Sequence, residues 1–273
     1  MMRVGFIGAG RMGTPMVSRL VAAGHVVRLL VRTPEKRAAA AELGAEPADT
    51  VADVGEDADV VVVCVFTDDQ VREVCCDALF GAMPPGSALV VHTTGSPRTA
   101  EELAAIGAGG RVAVVDAPVS GGPHDIAAGT VTVFAGGADD AMARARPVVA
   151  AYADPVLHVG PVGAGQRVKL INNALFAAQI GLVTEAVRIG TAFSIEESTL
   201  LTALTHGSAA SRALAGIAAT GSADAFISRV GEFVGKDIAV VRKTAQGLGT
   251  DLGQFDGLLD IAAGGHSPLF NNS

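Results

Sequence analysis

Through about residue 160, short runs of β-branched and aliphatic residues alternate with helix-forming stretches. That is the pattern of a parallel sheet whose strands are joined by crossover helices. The apolar runs predict strands at Arg3–Ile7, Val26–Val31, near Ala45, Val60–Phe66, Ala88–Val91, Arg111–Val115, Val131–Phe134 and Val156–Val159. Val60–Phe66 is apolar at every position, as a strand covered on both faces must be. Gly24-His25, Pro84-Pro85-Gly86 and Gly109-Gly110 punctuate the runs. Beyond Gly160-Pro161 the alternation stops and the chain reads as helix throughout. Helices are expected over Gln166–Phe193, from a Ser194 cap through Glu196-Glu197, and over Ala223–Phe233, Lys236–Gln246 and Leu252–Ala263. The expected organisation is an α/β domain over 1–161 and an all-α domain over 162–273, joined by one long helix.

That long helix is apolar nearly all round, with Leu175, Phe176, Ile180, Leu182 and Val183, so burial for most of its length is expected. It is suited to packing between subunits, as a homodimer or homotetramer. Lys169 and Asn173 stand four apart on it and share a face. An ammonium group beside an amide on a rigid element can exchange a proton with a substrate oxygen while the amide fixes that oxygen's position. A lysine on a buried helix needs such a reason.

The first strand runs into Gly8-Ala9-Gly10-Arg11-Met12-Gly13, which opens a helix ending near Gly24. This is the dinucleotide fingerprint in its required strand–turn–helix context, and it makes the N-terminal domain a Rossmann domain. The first glycine makes the turn, the second lets the pyrophosphate approach, and the third lets helix and strand pack. The helix N-terminus supplies N–H groups and a positive dipole end to the phosphates. At the end of the second predicted strand, where an acidic residue would read the ribose hydroxyls of NAD, the chain has Arg32-Thr33. A guanidinium and a hydroxyl there suit a 2′-phosphate, so NADP(H) is favoured over NAD(H).

Asp116-Ala117-Pro118-Val119-Ser120-Gly121-Gly122-Pro123 follows another apolar strand at the carboxyl edge, where ligands of open α/β sheets bind. With Pro123 opening a helix, the Ser120 hydroxyl and the N–H groups of Gly121 and Gly122 would aim outward as a cradle for a substrate carboxylate.

Composition narrows the class further. The 273 residues carry a net charge of -8, which argues against a nucleic-acid partner. Cys64, Cys75 and Cys76 make no disulfide framework, so a reducing, cytoplasmic location is expected. No targeting segment precedes the first strand, and Val60–Phe66, taken as the longest apolar run, is too short to span a bilayer, so no membrane partner is expected. His25, His92, His124, His158, His206 and His266 lack metal-ligand spacing, and no metal is expected. Cys75-Cys76 is expected inside a helix.

Taken together, GFIGAGRMGTPM with AGH, DAPVSGG at 116–122, GAGQRVKLINN at 163–173 and KDIAV from Lys236 resemble the β-hydroxyacid dehydrogenase family. That family includes 3-hydroxyisobutyrate dehydrogenase and is related to 6-phosphogluconate dehydrogenase. The resemblance implies that Lys169 protonates the carbonyl oxygen in reduction or takes the hydroxyl proton in oxidation. It also implies that Ser120, Gly121, Gly122 and Asn173 hold the substrate, that Thr94 lies near the nicotinamide, that Lys236 reaches the cofactor, and that Asp237 is structural. One segment departs from the family's Asp-x-Ser-Thr-x-x-Pro: here it reads Val91-His92-Thr93-Thr94-Gly95-Ser96-Pro97, which implies altered packing or substrate preference near the nicotinamide. The expected activity is NADP(H)-linked hydride transfer to or from a short 3-hydroxy acid or its semialdehyde. The alternatives are imine reduction on the same fold and a non-catalytic NADP(H)-binding sensor or scaffold.

Overall fold

A computed structural model describes residues 1–262 of the chain. His266 and Ala263, the end of the last expected helix, lie outside the described residues. Two compact units are present, Met1–Lys169 and the chain from Leu170 onward.

The first unit runs β1 (Arg3–Ile7), α1 (Gly13–Ala22), β2 (Val26–Leu30), α2 (Pro34–Glu42), β3 (Glu46–Ala48), α3 (Val51–Gly55), β4 (Val60–Val63), α4 (Asp68–Val74) and α5 (Asp77–Ala82). It continues with β5 (Ala88–Val91), α6 (Pro97–Gly110), β6 (Ala113–Asp116), β7 (Val119–Ser120), α7 (Pro123–Ala128), β8 (Val131–Gly136), α8 (Asp139–Val149) and β9 (Ala153–Gly160). Strand order is β3-β2-β1-β4-β5-β6-β8-β7, with β9 also paired to β8. The ladders from β3 to β6 are all parallel, so their following loops gather at one carboxyl edge. Both faces are covered. Val60 and Val62 join Phe6, Met16 and Leu20 on one side, while Val61 and Val63 join Ile7, Val54 and Leu79 on the other. The period of two along β4 thus divides four valines between two cores, each valine contributing about 1.5–3 kcal/mol on burial.

The sheet is not parallel throughout: β8 runs antiparallel to β6 and β7. The β7 strand escapes the apolar pattern because it is two residues long and follows a proline. Cys75 and Cys76 do not lie within a helix. They are the C-cap of α4 and the N-cap of α5.

The helix α9 (Ala164–Ala192) leaves the first unit and enters the second, which adds α10 (Glu197–Thr205), α11 (Arg212–Thr220), α12 (Ala223–Gly247) and α13 (Phe255–Ala262). Ile180, Leu201, Leu214, Ile217, Phe226, Ile238 and Leu259 form its core. Ser194 is not the cap of α10; it sits in the left-handed region at φ 59, and Glu196 caps by accepting from the Thr199 N–H. The helices expected at Ala223–Phe233 and Lys236–Gln246 are one, continuous through Val234 and Gly235. The α11 helix, capped by Ser211, has no counterpart among the expected helices.

The α9 helix is less buried than its composition implies. Ile171 (70% exposed), Leu175, Leu182 and Ile189 face solvent, at spacings of four, seven and seven that fall on one side, and Phe193 (72% exposed) extends the stripe. By length and composition alone α9 could also cross a membrane, although no long unbroken apolar run announces it. Under half of its most apolar window is buried in the fold.

Candidate active site

The carboxyl edge of the first unit is built from the loops that follow β1, β2, β4, β5 and β6. The first is the glycine turn after β1. Gly8 has φ 103, and a Cβ on it would lie 2.3 Å from the Cys64 carbonyl oxygen. A Cβ on Gly13 would meet the Gly8 carbonyl oxygen at 2.1 Å, so the third glycine lets α1 seat on the turn. At Gly10 no atom lies within 4 Å of that position. The second glycine therefore faces open space, where a pyrophosphate can approach the backbone. Ala9 and Met12 are half-buried beside it, and Arg11 is exposed. The first turn of α1 carries no acidic residue to repel an anion. This cradle fits a dinucleotide.

After β2, Arg32 is exposed and pairs with Glu73 of α4, Nη2 to Oε1 at 3.2 Å. Thr33 caps α2, its hydroxyl accepting from the Lys36 N–H at 3.3 Å.

The loops after β5 and β6 are tied to the start of α9. Asp116, completely buried at the end of β6, accepts the Gly163 N–H at 2.6 Å and the Gln166 N–H at 2.7 Å, one on each carboxylate oxygen. Burial pushes its carboxyl up to about 6, against the pull of those N–H bonds. Gln166, also buried, accepts the Gly95 N–H at 3.0 Å and donates to the Thr93 carbonyl at 2.8 Å. Gly165 allows the approach, because a Cβ there would lie 2.5 Å from the Phe134 carbonyl oxygen. The first turn of α9 is thus clamped to the strand ends. Lys169, buried at 9% exposure, follows on the same rigid helix.

The Thr93 hydroxyl bonds the neighbouring loop, donating to the Val65 carbonyl and accepting the Val65 N–H. Thr94 is half-buried between that clamp and the Gly95 bond to Gln166. His92 is buried, its Nδ1–H donating to the Ala117 carbonyl at 2.5 Å. A carbonyl can only accept, so Nε2 is the acceptor and takes the Tyr152 hydroxyl at 2.7 Å. Burial lowers the His92 pKa to about 4 and raises that of Tyr152 well above its usual 10.

The cradle expected at Ser120-Gly121-Gly122 is narrower than the sequence suggests. The Gly122 N–H does not aim outward; it donates to Asp125 Oδ2 at 2.6 Å, because Asp125 closes a capping box on α7. Ser120, half-buried in β7, and exposed Gly121 at φ 140 remain at the edge. His124 is an exposed residue of α7.

In the second unit Asn173 is buried and donates through Nδ2 to Asp237 Oδ2 at 2.8 Å. Lys236 Nζ lies 3.8 Å from the other oxygen of Asp237. Lys236 and Asp237 sit within α12, not near a helix start, and Asp237 fixes the orientation of the Asn173 amide. Among the described residues no group of three His, Cys, Asp or Glu could hold a metal ion.

Sequence reasoning does not single out Asp116, Gln166 or His92 as site residues. An acid ending an otherwise apolar strand and a glutamine in the first turn after Gly-Ala-Gly are the available signals. His92 gives none, since its partners Ala117 and Tyr152 are distant in sequence.

A Rossmann unit with this glycine cradle, followed by a helical unit, defines a dinucleotide-dependent oxidoreductase. Residues 3–160 match the NAD binding domain of 6-phosphogluconate dehydrogenase, and 163–257 match the domain described as NAD-binding of NADP-dependent 3-hydroxyisobutyrate dehydrogenase. The chain belongs to the 3-hydroxyisobutyrate dehydrogenase family. It is 34% identical over 218 residues to the NAD-dependent L-serine dehydrogenase of Pseudomonas aeruginosa, covering 78% of this chain and 72% of that one. With the 3-hydroxyisobutyrate dehydrogenase of the same organism it shares 32% over 213 residues, 77% and 72% of the two chains. The structure of Mycobacterium tuberculosis 3-hydroxyisobutyrate dehydrogenase with L-serine superimposes with a TM-score of 0.87 at 28% identity, covering 97% of this chain and 93% of that one.

Proposed function

We propose that the chain is an NADP(H)-linked dehydrogenase of a short 3-hydroxy acid or its semialdehyde, with Lys169 as the proton donor and acceptor. The observation that carries this reading is the clamp of Asp116 and Gln166 on the first turn of α9. It holds that turn at the edge bearing the glycine cradle, and buried Lys169 follows one turn on. A bound nicotinamide supplies or accepts the hydride. In oxidation, as the substrate C–H bond gives up its electron pair as hydride, Lys169 Nζ takes the hydroxyl proton; in reduction it returns a proton to the carbonyl oxygen. Asn173, oriented by Asp237, holds the substrate oxygen. Ser120 and Gly121 receive the carboxylate, with Gly122 shaping the turn that carries them. Gly8, Ala9, Gly10, Arg11, Met12 and Gly13 hold the pyrophosphate, Thr94 the nicotinamide side, Arg32 and Thr33 the 2′-phosphate, and Lys236 reaches the dinucleotide from the helical domain.

In this reading residues 1–161 bind the cofactor and 162–273 serve substrate binding and self-association. The stripe of Ile171, Leu175, Leu182, Ile189 and Phe193 supports self-association as a homodimer or homotetramer, and a cytoplasmic location without a membrane partner is part of the same proposal. The test is nicotinamide absorbance with NADP+ or NAD+ and L-serine, 3-hydroxyisobutyrate and related hydroxy acids, and with NADPH and semialdehydes or cyclic imines. Turnover of a 3-hydroxy acid with a lower KM for NADP+ than for NAD+ is expected. Turnover of imines alone, or of nothing while NADPH binds, would overturn the proposal.

A further inference from the structure

We propose that Glu73 is a specificity-determining residue for the dinucleotide: it holds the Arg32 guanidinium when no 2′-phosphate is present and competes with that phosphate for it. The proposal rests on the reading of Arg32 as the 2′-phosphate ligand.

The two residues are 41 apart in sequence and arrive from different strands. Arg32 follows β2, and Glu73 comes from α4, which follows β4. In the sheet β2 and β4 flank β1, whose loop is the glycine cradle. Their ion pair at 3.2 Å therefore links the segments on either side of the strand that receives the dinucleotide.

The pair has little to do with holding the fold. Both side chains are more than 60% exposed, and exposed ion pairs contribute little to stability. Arg28 offers a contrast: its side chain is 30% exposed and donates to the Asp53 and Glu56 carbonyls, tying down α3. Arg32 makes its pair with a single carboxylate oxygen. A phosphate dianion binds a guanidinium in two-point, charge-assisted geometry and outcompetes one such contact. The dinucleotide lacking that phosphate offers Arg32 no exchange, so Glu73 taxes the phosphorylated cofactor alone. Charge at position 73 then sets how strongly the enzyme prefers one cofactor over the other.

The experiment is equilibrium binding of NADPH and NADH, followed by nicotinamide fluorescence, to the full chain and to Glu73→Gln, Arg32→Gln and the double variant. Both positions are exposed, and fluorescence of Tyr152, the single tyrosine in a chain without tryptophan, verifies folding. Glu73→Gln should tighten NADPH about two- to fivefold, the range set by losing one exposed competing pair, and leave NADH unchanged. Arg32→Gln should weaken NADPH about tenfold or more, and the gain from Glu73→Gln should vanish in its background. An equal gain for NADH, no gain for NADPH, or a gain that persists without Arg32 would each overturn the role of Glu73. Unchanged NADPH binding in Arg32→Gln would instead overturn the reading of Arg32 on which it rests.

Discussion

The buried His92 and Asp116 give the first unit two opposite dependences on pH. An unfolded His92 takes a proton below its ordinary 6.5, but the folded ring does so only near 4. Stability from His92 is therefore complete above about pH 6.5 and is lost as pH falls towards 4. At about 1.4 kcal/mol per unit, the loss between pH 7 and 4.5 is on the order of 2 kcal/mol. Asp116 acts in the other sense: the folded carboxyl is protonated below about 6 and the unfolded one only below 3.8. Folding then gains on the order of 2 kcal/mol over the same interval. The two contributions have opposite signs, and substitution uncovers each.

His92→Asn keeps an N–H for the Ala117 carbonyl and removes the titrating ring. Its stability deficit against wild type should shrink by about 2 kcal/mol between pH 7 and 4.5. Asp116→Asn should show a deficit that grows by about 2 kcal/mol as pH falls. Urea unfolding followed by fluorescence reads this directly, because Tyr152 hydrogen-bonds His92 and is the only tyrosine, in a chain without tryptophan. A deficit for His92→Asn that is the same at both pH values would refute the reasoning.

Three further outcomes follow from the same contacts. Gln166→Leu leaves the Thr93 carbonyl and the Gly95 N–H buried without their partner, and should cost about 2–4 kcal/mol in urea unfolding together with a fall in kcat. Gly10→Ala should weaken NADPH binding while leaving the melting temperature within about 2 °C, since a Cβ there meets no protein atom; equal loss of stability would contradict the open cradle. Leu182→Glu, in the middle of the exposed stripe of α9, should lower the mass seen by sedimentation or light scattering, and an unchanged mass would remove that stripe from the subunit interface.

Much of the first unit is legible in the sequence because its strands are short apolar runs bounded by glycine and proline. The glycine motif also sits in a context that few other folds provide. What stays hidden depends on tertiary partners. The Gly122 N–H cannot be assigned from sequence because Asp125 takes it through a cap formed only once α7 exists. The run Val60–Phe66 reads as one strand, yet the chain leaves the sheet after Val63, where Thr93 takes over the bonding of Val65. Composition overestimates the burial of α9 because it averages over a helix whose exposed side is also apolar. Gly235 falls between two expected helices but lies inside α12, where tertiary packing outweighs a propensity cost of about 1 kcal/mol.

The central claim is that Lys169 moves the proton, and Lys169→Ala tests it most directly. With a substrate found by the panel, kcat should fall by about 10²–10⁴ while NADPH still binds with wild-type affinity. A variant that keeps kcat within about threefold of wild type, or that loses NADPH binding in proportion to its rate, would contradict the account.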